Sequence, residues 1–287
     1  MKLDTDKKQE LNRLVEEAKE GNYEALETLL RAVQNQVYNL ALRMLWLPAD
    51  AQDATQEILI KVFTHLSEFR QESAFTTWVY RIASNYLLTT RKRRAEMRET
   101  TFDSLGDYID RAVATTAASG QQVEDRVLNQ EIKLTCTLAM LLCLDREDRL
   151  TYILGQIFQV SSEQGAYLMD TTPAAFRKRL SRARQKLRDF VSARCGIYNP
   201  ANPCRCSKIA AYKLETGELR PQKLFLASSP VLPQEVEEAA RQGLEEMYQF
   251  SRMAALFRSH PAYASPQDFT LKIRQLITSG DFRMLRD

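Results

Sequence analysis

The sequence is poor in the two residues that most often interrupt helices, with nine glycines and nine prolines among 287 residues. Most of the chain instead shows apolar residues recurring at helical spacing, which is typical of amphipathic helices. An all-α fold is therefore predicted.

Histidine is scarcer still, with only His65 and His260 in the chain. We find no glycine-rich phosphate loop, no H-E-x-x-H and no G-x-S-x-G motif. These absences argue against an enzyme, and we expect a protein that does no covalent chemistry.

Long apolar runs are also missing, since the longest, TLAMLLCL, has eight residues. A membrane span needs roughly 20, and the first ten residues, MKLDTDKKQE, lack the apolar stretch of a signal peptide. We expect a cytoplasmic protein without membrane insertion. The formal net charge of +3 is small, so any strongly basic character is local.

Five cysteines, an odd number, do not suggest a disulfide framework. Cys136 and Cys143 lie in an apolar helical stretch and are interpreted as core thiols. Cys195, Cys204 and Cys206 lie within twelve residues of one another, which suits zinc, another soft metal or thiol exchange. However, C-x-C is tighter than the usual C-x-x-C, and no fourth ligand is nearby in the sequence. A proline-rich hinge that needs no cofactor remains the alternative.

Positive charge is concentrated in one helical stretch, where seven Lys or Arg lie between Arg177 and Arg188. Thr172 before Pro173 is typical of an N-cap followed by a first helical residue. Four apolar residues of this stretch follow helical spacing: Phe176, Leu180, Ala183 and Leu187. Such a helix buries one face, and its like charges repel at several i,i+4 pairs. We interpret this repulsion as a sign of an anionic partner, with nucleic acid as the first candidate.

A second short helix precedes the basic one. Ser161 with Gln164 matches a capping box, and Asp170 occupies the turn, where a left-handed residue is needed. Short helix, tight turn and basic helix together indicate a helix-turn-helix. Gly165 in the short helix is expected to weaken it.

The first part of the chain carries two further surfaces. Aromatic residues including Trp78 lie on a helix that ends in the basic run 91–94, a combination that can hold unstacked bases and neutralise phosphate. Core packing is an equally good explanation for Trp78. Upstream, Asp53, Gln56 and Glu57 share one helical face, which suits docking on a basic partner helix.

These patterns divide the chain into five predicted segments. A helical domain at 6–95 and a helix-turn-helix domain at 125–190 are joined by a flexible linker at 96–124, where AVATTAASGQQ lacks apolar periodicity. A Cys/Pro-rich hinge at 191–208 leads into a helical C-terminal domain at 209–287, which we expect to be regulatory.

Three motifs in order, DAQDATQEILIKVF (50–63), FTTWVYRIASNYLLTTRKRR (75–94) and RLSRARQKLR (179–188), resemble the extracytoplasmic-function (ECF) group of bacterial RNA polymerase sigma factors. The resemblance covers about residues 10–190. It implies that Asp53, Gln56 and Glu57 bind core RNA polymerase, and that Asn85 recognises a base flipped out of the minus-ten element.

Further DNA-binding residues are implied at both promoter elements. Trp78 and Arg81 would support Asn85, and Arg91 and Lys92 would lie near the backbone. The helix that enters the minus-thirty-five major groove would contribute Thr172, Arg177, Lys178, Arg179 and Arg182.

The function implied is a sigma factor that directs core polymerase to promoters and assists strand opening, with an anti-sigma protein as a further candidate partner. A helix-turn-helix repressor or activator acting without core polymerase is the alternative. It would not need the aromatic and basic surface of the first domain.

Overall fold

The structure is a computed structural model that describes residues 5–91, 96, 100–227 and 250–278. Apart from isolated bridge residues, such as the pair Cys195 and Cys204, every regular element in these ranges is helical. The predicted all-α class is confirmed. Among the residues described, no helix has both the length and the apolar content needed to cross a lipid bilayer.

The first helical set contains α1 (Thr5–Lys19), α2 (Tyr23–Leu45), α3 (Pro48–Thr64), a 3-10 turn (Leu66–Glu68) and α4 (Phe75–Thr89). Asn22 caps α2, because its side chain accepts hydrogen bonds from the N–H groups of Glu24 and Ala25. The apolar sides of these helices meet in one core, which includes Val15, Leu29, Val33, Leu40, Ile58, Phe75, Val79 and Leu87. Helix α4 ends at Thr89, before the basic run 91–94 in which it was predicted to end, and residues 92–95 lie outside the described residues.

The segment predicted as a flexible linker contains helix α5 (Phe102–Ser119). Thr101 and Ser104 form a reciprocal capping box at its start. Tyr108 of α5 contacts Tyr212 edge-on with ring centroids 5.7 Å apart. The linker prediction is therefore wrong for 102–119, since small residues such as Ala112 let this helix pack closely on its neighbours.

The helix-turn-helix domain contains α6 (Arg126–Leu142), α7 (Arg146–Tyr152) with a π-helical turn (Ile153–Ile157), α8 (Ser162–Leu168) and α9 (Pro173–Arg194). The Ser161–Gln164 capping box is present, and Thr172 caps α9 by accepting from the N–H of Ala175. Asp170 has a φ of 50° in the turn between α8 and α9. The predicted helix-turn-helix is confirmed.

The described parts of the C-terminal region are α10 (Cys206–Glu215), α11 (Phe250–Arg258) and α12 (Phe269–Thr278). In place of a separate core, α10 packs on α5 and α6, α11 on the π-helical turn, and α12 on α2 and α3. Residues 228–249 of the predicted C-terminal domain lie outside the described residues. Ala254 and Phe257 of α11 are buried.

A buried arginine joins the two halves of the fold, which are the first helical set (α1 to α4) and the helix-turn-helix domain (α6 to α9). The Arg149 guanidinium donates to the carbonyl of Met44 at the end of α2 (2.5 Å) and to the Glu96 carboxylate (3.0 Å). Arg149 and Glu96 are 4% and 8% exposed, and Arg146 adds two further hydrogen bonds to the same carboxylate. Because buried charges are tolerated only when paired, this cluster holds the helix-turn-helix domain against the first helical set.

Candidate nucleic-acid interface

The acidic and polar face of α3 is where the sequence placed it. Asp53 and Glu57 are exposed and Gln56 is half-buried, while Ala54 and Ile58 on the opposite side are fully buried. Helix geometry separates the two sets because residues three or four apart share a face. This leaves two carboxylates free to meet a basic partner.

On α4, the predicted base-binding residues differ in their surroundings. The indole of Trp78 is half-buried, with its centroid 5.3 Å from the ring of Phe69 and 6.0 Å from that of Phe75. Asn85 is exposed two turns further along the same face. Trp78 thus packs against other aromatic rings and remains partly exposed, on the same face of α4 as Asn85.

Arg91 follows the end of α4 and is exposed. Lys92, the other cation predicted near the DNA backbone, lies outside the described residues. The contact of Arg91 with the DNA backbone stays a prediction.

Arg81 connects α4 to the helix-turn-helix. Its guanidinium lies 3.6 Å from the carboxylate of Asp170 and 4.5 Å from the ring centroid of Tyr167. Both partners belong to α8 or to the turn before α9. The two predicted DNA-binding surfaces therefore adjoin in this structure.

The basic helix α9 buries the apolar stripe predicted for it, since Phe176, Leu180, Ala183 and Leu187 are all buried. Thr172, Arg177, Lys178 and Arg182 are exposed. None of these three cations makes an ion pair with another residue that the structure describes. They are thus available to phosphate or to base edges.

Two other cations of α9 point at acids. Arg179 pairs with Glu147 and lies 3.8 Å from Asp148, and Lys186 lies 2.8 Å from Asp148. The interpretation that repulsion along α9 is unrelieved is therefore wrong for these two residues. A cleft of about 670 Å³ opens there between α7 and α9. Arg179 acts as a bridge to α7 in this arrangement, and its predicted DNA contact stays a prediction.

Gly165 has a packing role that the sequence did not reveal. A Cβ atom at this position would lie 2.3 Å from the ring of Phe176. The glycine therefore lets α8 approach the buried face of α9, where the sequence suggested only a weakened helix.

Sequence reasoning also missed the Arg149–Glu96 pair, because charged residues in the run LDREDRL resemble an ordinary solvated face. It also missed that a fourth cysteine lies with the three hinge cysteines. Cys136 of α6 lines the same small cavity as Cys195, Cys204 and Cys206. A separation of 59 residues between Cys136 and Cys195 carries no motif signal.

The described part of the chain is thus a helical fold with a helix-turn-helix and two adjoining candidate nucleic-acid surfaces. Residues 29–96 match the family described as Sigma-70 region 2. That range spans α2 to α4 and therefore contains both the acidic face and Asn85.

Curated relatives extend the similarity over a larger share of the chain. The chain is 30% identical over 166 residues to the ECF RNA polymerase sigma factor SigE of Mycolicibacterium smegmatis, covering 58% of this chain and 61% of that protein. It is 25% identical over 188 residues to the ECF RNA polymerase sigma factor SigW of Bacillus subtilis, covering 62% and 95%. It is 29% identical over 189 residues to the ECF RNA polymerase sigma-E factor of Escherichia coli, covering 62% and 92%.

The chain thus contains a Sigma-70 region 2 segment and is similar to ECF RNA polymerase sigma factors over 58–62% of its length, and it continues beyond the part shared with these relatives. It spans less than two thirds of the length of the M. smegmatis protein.

Proposed function

We propose that this protein directs core RNA polymerase to specific promoters and assists strand opening at initiation. One observation carries the proposal. A Sigma-70 region 2 segment at 29–96 is followed in the same chain by a basic helix-turn-helix, and relatives named as sigma factors align over 92% and 95% of their own lengths. A protein with this role acts in the cytoplasm and regulates transcription without enzymatic chemistry.

Core polymerase would bind the exposed face of α3. Asp53 and Glu57 supply negative charge, and Gln56 lies between them. Charge complementarity of this type raises association rates and selects the partner. A basic helical surface on the polymerase is the expected counterpart.

Promoter DNA would bind at the two other surfaces. Asn85 would recognise a single unstacked base, with Trp78 beside it as a stacking surface. The exposed cations Arg177, Lys178 and Arg182 would bind the minus-thirty-five duplex through its major groove.

DNA binding at both surfaces requires a change in the present arrangement. Arg81 cannot serve DNA while it is bound to Asp170 and Tyr167. The two halves must separate at this contact before α4 and α9 reach elements of the promoter that lie apart. The arrangement described here is therefore a closed one.

The C-terminal region would regulate that change. Asn39 of α2 exchanges two hydrogen bonds with the backbone of Tyr263, at 2.7 and 3.0 Å. Gln267 donates to Gln52 of α3 at 3.2 Å, one turn from Gln56. A segment held here biases the protein between states only if these hydrogen bonds are absent from the open state. A separate anti-sigma protein remains a candidate partner for the same surfaces.

In vitro transcription with core polymerase tests the proposal. The protein should produce promoter-specific transcripts and should co-purify with core polymerase in the absence of DNA. The variant Asp53→Lys/Glu57→Lys should lose most core binding, because two attractive charges become repulsive. Glu10→Lys, an exposed acid on α1, is the control and should bind as the wild type does.

High-affinity binding to duplex DNA by the protein alone, with no effect of polymerase, would favour the helix-turn-helix repressor or activator instead. Equal loss of core binding in the control and the double variant would show that net charge matters, rather than the α3 face.

A further inference from the structure

Four cysteines from separate parts of the chain surround one small cavity. Cys136 comes from α6, Cys195 follows α9, Cys204 lies in the loop and Cys206 begins α10. The cavity measures about 30 Å³, which is enough for a single small occupant. Much of its remaining wall is aliphatic, with Ile109, Ile132, Met140, Ile197, Ile209 and Leu256.

The four thiols interact electrostatically with one another. Burial first, and then the neighbouring thiols of Cys195 and Cys206, raise the pKa of Cys204 to about 12. Burial and Cys195 raise the pKa of Cys206 to about 11. The pKa of Cys136 is raised in the same way by burial and by all three other thiols. Burial thus favours the neutral thiols, and the shared cavity wall brings the four side chains to one space.

The loop that carries three of them is held by specific hydrogen bonds, unlike a plain linker. The Arg205 guanidinium donates to the carbonyls of Pro200 and Cys204, both at 2.8 Å. The Asn202 amide donates to the carbonyl of Ser192 at 2.9 Å. These bonds fold residues 195–206 back on the end of α9.

Gly196 is required for this loop. A Cβ atom at 196 would lie 2.1 Å from the carbonyl oxygen of Cys204, a separation that a non-bonded pair cannot adopt. A backbone hydrogen bond from Gly196 to Cys204 opposes only part of the rise in pKa that burial causes.

We propose that Cys136, Cys195, Cys204 and Cys206 together bind one soft divalent metal ion, with zinc as the expected ion. Thiolates are the preferred ligands of such ions, and four of them complete the tetrahedral site typical of structural zinc. Within the described ranges, no three or more His, Cys, Asp or Glu side chains already form a metal-binding group. Binding would therefore draw the four sulfur atoms inward from their present positions.

The bound ion would link α6, the end of α9 and the start of α10. These elements connect the helix-turn-helix to the C-terminal region. The site would therefore fix the position of the C-terminal region relative to the helix-turn-helix domain. The proposal stands on the cysteines alone and does not depend on the function of the chain.

Metal analysis of the full-length protein, purified under reducing conditions, tests the site. Wild type should retain about one equivalent of zinc per chain. Replacement by cobalt(II) should produce thiolate-to-cobalt charge-transfer bands and the intense d–d bands of a tetrahedral site. Cys136→Ser should lose the ion or the tetrahedral spectrum.

Cys143→Ser is the matched control. Cys143 is a half-buried thiol at the end of the same helix, and it does not line the cavity. This variant should keep the ion and the wild-type spectrum. Zinc should raise the Tm of the wild type and of Cys143→Ser, and it should leave the Tm of Cys136→Ser unchanged. If Cys136→Ser does not fold, Cys206→His, which retains a ligand atom, should bind cobalt with a shifted spectrum.

Three outcomes would overturn the proposal. The wild type, with all five thiols reduced, could neither contain zinc after purification nor bind added metal. Cys136→Ser could bind one ion with an unchanged cobalt spectrum, which would exclude a fourth thiolate ligand. Thiol titration could instead show two fewer free thiols in metal-free protein, which would identify the cluster as a disulfide pair.

Discussion

Gly165→Ala tests whether the approach of α8 to α9 depends on glycine. Helix propensity alone would make this change stabilising by about 1 kcal/mol, because alanine is the better helix former. The new Cβ would, however, lie 2.3, 2.4 and 2.7 Å from three ring carbons of Phe176. That ring is 1% exposed, so it cannot move without displacing its neighbours.

The clash is expected to exceed the gain in propensity. Overpacking a filled core costs about 1–3 kcal/mol, so after the gain of about 1 kcal/mol in propensity the net effect should be a loss of up to about 2 kcal/mol in local stability. Amide hydrogen exchange in α8 and α9 measures this quantity directly, since these helices open as part of a local unit. Faster exchange should be confined to these two helices and their contacts.

A double-mutant cycle supplies the control. Phe176→Leu alone should destabilise the domain by leaving a cavity, but it should cost less in the Gly165→Ala background because it removes the clash. A Gly165→Ala protein about 1 kcal/mol more stable than wild type would show that propensity decides here and that the packing argument is wrong.

Three other predictions concern the interfaces. Arg177→Ala or Lys178→Ala should weaken binding to the upstream duplex and lower the salt slope by about one for each phosphate that the variant no longer neutralises. Asn85→Ala should spare that binding and impair strand opening. Equal weakening of duplex binding in both kinds of variant would contradict the assignment of α9 to the duplex and of Asn85 to the opened strand. Glu96→Gln should destabilise the contact between the two halves by about 3–5 kcal/mol, because it leaves buried Arg149 without its counter-charge; unfolding in urea measures this, and an unchanged midpoint would refute it. Asn39→Ala should release the Tyr263 segment and change transcription from a standard promoter, as run-off assays would show; unchanged output together with faster exchange at 263–268 would exclude regulation through this contact.

Much of the local structure could be predicted from the sequence because its causes are local. The caps at Asn22, Ser161 and Thr172 depend on side chains that bond backbone groups two or three residues away. The left-handed residue at Asp170 depends on the geometry of a short turn. Helix spacing likewise predicted the buried stripe of α9.

The helix in the predicted linker could not be predicted in this way. Residues 102–119 carry many small side chains, so their apolar period is weak in the sequence. Their helix packs on α10 and α9, where Phe102 meets Phe190 with ring centroids 5.3 Å apart. Helices of this kind draw most of their stability from tertiary contacts.

The candidate sites differ in the same way, since some residues follow from local helix spacing and others from tertiary packing. The exposed residues of α3, α4 and α9 follow from the period of each helix. The contact of Arg81 with Asp170 and Tyr167, the partnership of Arg149 with Glu96, and the meeting of Cys136 with the hinge cysteines were decided by tertiary structure. Each brings together residues from separate helices or loops. Such pairings depend on how whole helices pack, and no spacing rule along the chain encodes them.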